Sequence, residues 1–75
     1  MAARRVDPER VAWKREQIIV EAGRLFSRQG YERTSVADIA RAVGVSQASI
    51  FYYFTDKAAL FRAIFERDLP VAEAL

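Results

Sequence analysis

Cysteine and histidine are both missing from this 75-residue chain. Without cysteine there is no disulfide framework and no thiolate nucleophile. Without histidine as well, a structural zinc site and an imidazole general base are excluded. The absence of cysteine agrees with a reducing cytoplasm, the compartment expected here. Long apolar runs are also missing, so no segment is suited to span a bilayer, and Met1-Ala-Ala-Arg-Arg is not followed by the apolar stretch of a secretory signal. A large excess of one charge is missing too: 12 basic against 10 acidic residues leave a net +2, too little on its own to establish a nucleic-acid partner. There are no repeats and no low-complexity runs. Three glycines and two prolines are sparse punctuation, and Pro8, Gly30, Gly44 and Pro70 all stand at expected helix boundaries. What the chain does have is 52% hydrophobic residues, enough for one small folded domain and too many for a disordered segment.

The most informative stretch runs from Ser35 to Phe54. Val36, Ile39, Ala40 and Val43 recur at i, i+3, i+4 and i+7, one apolar face of a short helix. Ser35 followed by Asp38 is a start signature, a hydroxyl capping free N–H groups while a carboxylate reaches back. Gly44 falls just past the last apolar position, where a left-handed residue ends many helices. Ser46 is placed to cap the next helix. Ala40 is small where two helices cross, Val45 belongs to the turn, and Ile50 and Phe54 plug the second helix into the core. Gln47, Ala48, Ser49, Tyr52 and Tyr53 are left outside. Two helices joined by a three-residue turn, the second offering amide, hydroxyl and phenol groups, make a helix-turn-helix.

The rest of the chain frames this unit. Asp7-Pro8-Glu9 opens a long helix, with a capping acid, proline at the first helical position and a further acid. Val11, Ile18, Ala22, Leu25 and Phe26 form its inner face. Trp13 and Val20 fall on nearly the opposite side, and Gly23 offers room for another helix. Tyr31 is expected to pack as a lid. Asp56 caps a fourth helix whose first residue, Lys57, is a cation placed against the helix dipole, which a DNA phosphate would compensate. Leu60, Phe61, Ile64 and Phe65 give that helix a broad apolar stripe before Pro70. Residues 1–33 hold eight basic and five acidic side chains, a bias toward the N-terminus. The spacing predicts helices over 8–29, 36–43, 47–53 and 57–69.

The run REQIIVEAGRLFSRQGYERTSVADIARAVGVSQASIFYYFTDKAAL, Arg15 to Leu60, resembles the N-terminal DNA-binding domain of TetR-family transcription regulators. The resemblance rests on Ile18, Ala22, Leu25, Phe26, Gly30, Thr34, Ser35, Asp38, Ile39, Ala40, Gly44, Val45, Ser46, Ile50, Tyr53, Phe54, Lys57 and Leu60. It implies an all-α, homeodomain-like three-helix bundle with the start of a fourth helix. A flexible basic arm would cover 1–7, the DNA-binding domain 8–55, and a linking helix 56–75 would lead toward an effector and dimerisation domain outside this chain.

By position, the resemblance implies that Gln47, Ala48 and Ser49 face base edges. It implies backbone contacts from Thr34, Ser35, Tyr52, Tyr53 and Lys57, with Ile39, Ala40, Gly44, Val45, Ile50 and Phe54 as the helix-turn-helix core. Phe51 stands where the family usually has a tyrosine whose hydroxyl meets a phosphate, so that contact is lost. Ala48 replaces a common glycine, and Ala37 stands where some members carry a base-reading arginine. The expected function is sequence-specific binding of double-stranded DNA at a near-palindromic operator, as a repressor. The full-length protein would be a homodimer with a small-molecule effector, without cofactor, metal or membrane. A helical protein-interaction module is the alternative, on the apolar surplus around Trp13, Phe65 and Leu69. No spacing of carboxylates, serines, tyrosines and lysines converges on a nucleophile and its base, which argues against an enzyme.

Overall fold

Local chemistry places each helix boundary in the computed structural model, which describes residues 7–68. Helix α1 (Pro8–Gln29) starts where the Asp7 carboxylate accepts the Glu9 N–H at 3.0 Å, and it stops at Gly30, whose N–H reaches back to the Phe26 carbonyl. Helix α2 (Val36–Val43) opens on a reciprocal capping box and closes on Gly44. Helix α3 (Gln47–Tyr53) is capped by Ser46. Helix α4 (Lys57–Asp68) is capped by Asp56, which accepts the Ala59 N–H at 2.8 Å. The all-α class and the helix order agree with the sequence reading. The expected arginine arm and the apolar stretch from Leu69 onward lie outside the described residues.

Each short helix needs the others. A seven-residue helix such as α3 is marginal alone, because nucleation costs more than so few hydrogen bonds return. Its stability comes from docking. Ile50 and Phe54 join Ile18, Ile19, Ala22 and Phe26 of α1, Ile39 and Ala40 of α2, and Leu60 and Ala63 of α4 in one buried cluster. Burying an isoleucine in this way is worth about 1.5–3 kcal/mol. Ile19 is a core residue that the expected α1 face omitted; Val11 and Leu25 of that face are only half-buried. Val36, Val43 and Val45 pack against the cluster from its edge, as the helix-turn-helix reading requires.

Helices α1 and α4 run antiparallel. Descending α1 from Phe26 through Gly23 to Glu16 meets ascending α4 at Phe61, Ile64 and Arg67. Tyr31 covers one end of this pair as a lid, its ring 5.1 Å from Phe26 and 5.0 Å from Phe61. A methyl group added at Gly23 would meet Ile64 at an ordinary 3.7 Å, so close approach does not demand glycine there.

Gly44 is different. Its φ of 88° and ψ of 31° are left-handed, and its N–H and that of Val45 both return to the Ala40 carbonyl, at 2.8 and 2.9 Å. No atom lies within 4 Å of a Cβ built there. The whole cost of Gly44→Ala is therefore backbone strain, about 1–2 kcal/mol. Urea unfolding followed by circular dichroism should show that loss, and Gly44→Asn should lose less, because asparagine tolerates this region. Equal stability of Gly44→Ala and the parent would refute the strained-turn account.

Candidate nucleic-acid interface

The turn at Gly44 swings α3 so that one face meets the core and the other meets solvent. Ile50 is buried, while Ser49 and Tyr53 on its flanks are half-buried. At 100° per residue Ala48 and Tyr52 lie opposite Ile50 and Phe51 lies on the flank, while Gln47 stands free as the first residue of the helix. All four are exposed, Phe51 at 48% and Tyr52 at 68%. An α-helix with its side chains is about 10–12 Å across, which fits a major groove about 12 Å wide.

The structure sorts the residues singled out from sequence into two groups. Gln47 and Ala48 stand outward, as expected, and Ser35 and Tyr52 are exposed as well. Ser49 departs from its expected base-facing position. It is half-buried, and its hydroxyl accepts a hydrogen bond from Ser46 Oγ at 3.2 Å while its N–H is held by that same Oγ. Tyr53 packs against the core and lies edge-on to Tyr52, centroids 4.9 Å apart.

Thr34 requires a correction. It is 1% exposed, its hydroxyl donates to the Gly30 carbonyl at 2.8 Å, and its N–H bonds the Tyr31 carbonyl at 3.2 Å. Both of its donors are turned into the protein, where they brace the connection. Lys57, expected to be compensated by a DNA phosphate, is half-buried with its ammonium 2.7 Å from the Tyr31 carbonyl oxygen and 3.0 Å from that of Thr34. These carbonyls offset its position against the dipole.

Phe51 is the residue that sequence reasoning undervalued. In sequence it stands out only for the hydroxyl it lacks. Its place at i+4 from Gln47 and i+3 from Ala48, a wheel position available from the sequence, puts it on the same exposed face.

The start of α2 is built from Ser35, Asp38 and Arg41. Ser35 N–H donates to Asp38 Oδ2 at 3.0 Å, Asp38 N–H to Ser35 Oγ at 3.0 Å, and Arg41 Nη2 to Asp38 Oδ1 at 2.8 Å. The Ser35 backbone N–H above all, then the Arg41 guanidinium, pulls the Asp38 carboxyl from its ordinary 3.8 to about 2. The folded chain thus holds this proton less tightly than the unfolded chain. The capping contribution is complete above about pH 4 and is lost as pH falls through about 2. Acid titration of stability should be shallower for Asp38→Asn than for the parent in that window; parallel curves would rule the assignment out.

No metal-ligating cluster of three acidic, histidine or cysteine side chains occurs among the described residues, and no helix there is long and apolar enough to cross a membrane.

Residues 18–64 match the family model for bacterial regulatory proteins of the tetR family. An HTH-type transcriptional repressor of Mycobacterium tuberculosis is 38% identical over 64 residues, covering 85% of this chain and 34% of that protein. The HTH-type transcriptional regulator AcrR of Shigella flexneri is 46% identical over 52 residues, 69% of this chain and 24% of the relative. Among solved structures, the fatty acid degradation regulator FadR from Bacillus halodurans superposes with a TM-score of 0.72 at 29% identity, over 87% of this chain and 32% of that one. The chain therefore spans about a third or less of the length of these proteins.

Proposed function

The chain belongs to the TetR family of bacterial regulatory proteins, and from that premise we propose that it binds double-stranded DNA as the reading head of a transcription repressor. Helix α3 enters the major groove with Gln47, Ala48, Phe51 and Tyr52 toward the bases and their flanks. The observation that carries this reading is the solvent-facing side of α3, kept clear of the core by Ile50 behind it and by the left-handed turn at Gly44.

The chemistry of each group suits the groove. A glutamine amide can donate and accept at once, the pattern an adenine edge presents. The Ala48 methyl and the Phe51 ring have only apolar contacts to offer, and the thymine methyl is the apolar feature of the major groove. Tyr52 and Ser35 supply hydroxyls for phosphates, with the first turn of α2 adding N–H groups. Ser49 and Tyr53 act from behind this face, holding the capping turn and the ring pair in place.

One chain covers one half-site. Tight binding then needs two copies on a near-palindrome, brought together by a further domain that also takes a small effector, as the lengths of the relatives suggest. A cytoplasmic location follows from the same reading. The rival, a protein-interaction module, is favoured by the exposed Trp13 (60%), Val20 and Phe65. Selecting duplexes from a random pool separates the two. The DNA reading expects an enriched motif, and binding of that motif that weakens with a log–log salt slope of about −0.9 per phosphate contacted. A pool that enriches nothing, together with salt-independent binding, would favour the rival.

A further inference from the structure

Lys57 opens α4, yet its partners lie 23 and 26 residues earlier in the chain, in the segment joining α1 to α2. An ammonium has three N–H donors. Two carbonyl oxygens stand at 2.7 and 3.0 Å, and the ring of Tyr31 lies with its centroid 4.1 Å away. Two carbonyls and an aromatic face supply partners for all three. The carbonyls are themselves held in place: Tyr31 O also accepts the Thr34 N–H, and the Thr34 hydroxyl donates to Gly30 O. The Gln29 amide adds a brace, donating to Arg33 O at 3.2 Å and to Thr34 Oγ1 at 3.3 Å.

We propose that Lys57 is a positioning residue for the DNA interface: it fastens the 31–34 connection to the start of α4, thereby fixing where Ser35 and the first turn of α2 stand, and meets no phosphate itself. The inference rests on the DNA-binding reading above. Its physical basis is independent of DNA, since a phosphate would have to displace charge-assisted hydrogen bonds that are already made in a half-buried setting. The clamp also ties the start of α4 to the residues that lead into α2.

The test compares the parent chain with Lys57→Met, which keeps the stem and removes the charge, and Lys57→Arg, which keeps the charge and changes the geometry. In Lys57→Met, amide exchange at Thr34 should quicken about ten-fold or more, because the local opening it reports is no longer resisted. Exchange at Ser49, in the cap of α3, should not change. Affinity for every duplex should drop by a similar factor, with the salt slope unaltered. Lys57→Arg should not restore it, because a rigid planar fork does not reproduce three donors diverging from one atom. A slope shallower by about 0.9 with unchanged Thr34 exchange, or full rescue by arginine, would overturn the clamp and return Lys57 to the phosphate. If Lys57→Met does not fold, Lys57→Gln, which removes the charge and keeps two of the three N–H donors, serves in its place. If the parent binds no duplex at all, the DNA reading fails while the exchange experiment still decides the clamp.

Discussion

Ile50→Ala is expected to cost about 2–5 kcal/mol of folding stability, the range for truncating a fully buried aliphatic side chain. At about 0.05–0.15 kcal/mol per residue, a domain of this size holds roughly 4–11 kcal/mol in all. One substitution on the inner side of α3 therefore removes a large part of it. The loss is concentrated where function lies. Ile50 is 1% exposed and shares its cluster with Ile18 of α1, Ile39 of α2 and Leu60 of α4. The remaining hold on α3 comes from Tyr53, packed against the cluster, and from the capping Phe54, whose ring is also covered by the Arg15 guanidinium at 5.0 Å. Denaturant unfolding measures the loss, and exchange at the α3 amides should rise more than at the middle of α1. A cost below about 1 kcal/mol would mean that α3 is not anchored through this residue.

Gln47→Ala should act in the opposite way, leaving stability alone and changing recognition. Gln47 is exposed, and no core side chain depends on it. If its amide pairs with one base edge, its removal costs about 1–3 kcal/mol against the selected duplex, a loss of roughly 5- to 150-fold. Binding to random duplexes should barely move, since phosphate contacts are untouched. A reselected motif should relax at one position only. Titrations of parent and variant on both duplexes decide this; equal losses on both would show that Gln47 does not read sequence. Replacing thymines of the selected motif by uracil removes the methyl group alone, and pairing that change with Phe51→Ala tests the apolar contact in the same assay.

These two residues, three positions apart on one short helix, show which features were legible before any coordinates. Ile50 inward could be read directly from its i, i+4 pairing with Phe54, whereas Gln47, about 60° from Ile50 on the wheel, was legible as exposed from its place as the first residue of α3. Phe51 obeys the same geometry and was equally readable, but attention to a missing hydroxyl obscured its position. Ser49 was misplaced because the half-buried flank of a seven-residue helix depends on how the helix is rotated, which periodicity bounds only loosely.

Thr34 and Lys57 were not legible at all. Their partners lie across a connection and a turn, and a hydroxyl or ammonium near a helix start looks the same in sequence whether it faces a carbonyl or a phosphate. By itself, then, the order of residues determined the ends of the helices, the glycine-made bend and the greasy side of each rod, because caps, backbone chirality and hydrophobic spacing act within about four residues along the chain. The tertiary structure alone decided that the Lys57 charge is spent on Tyr31 and Thr34 and that Thr34 is sealed inside, because those bonds exist only once α4 has packed beside α1 and brought distant segments within 3 Å of each other.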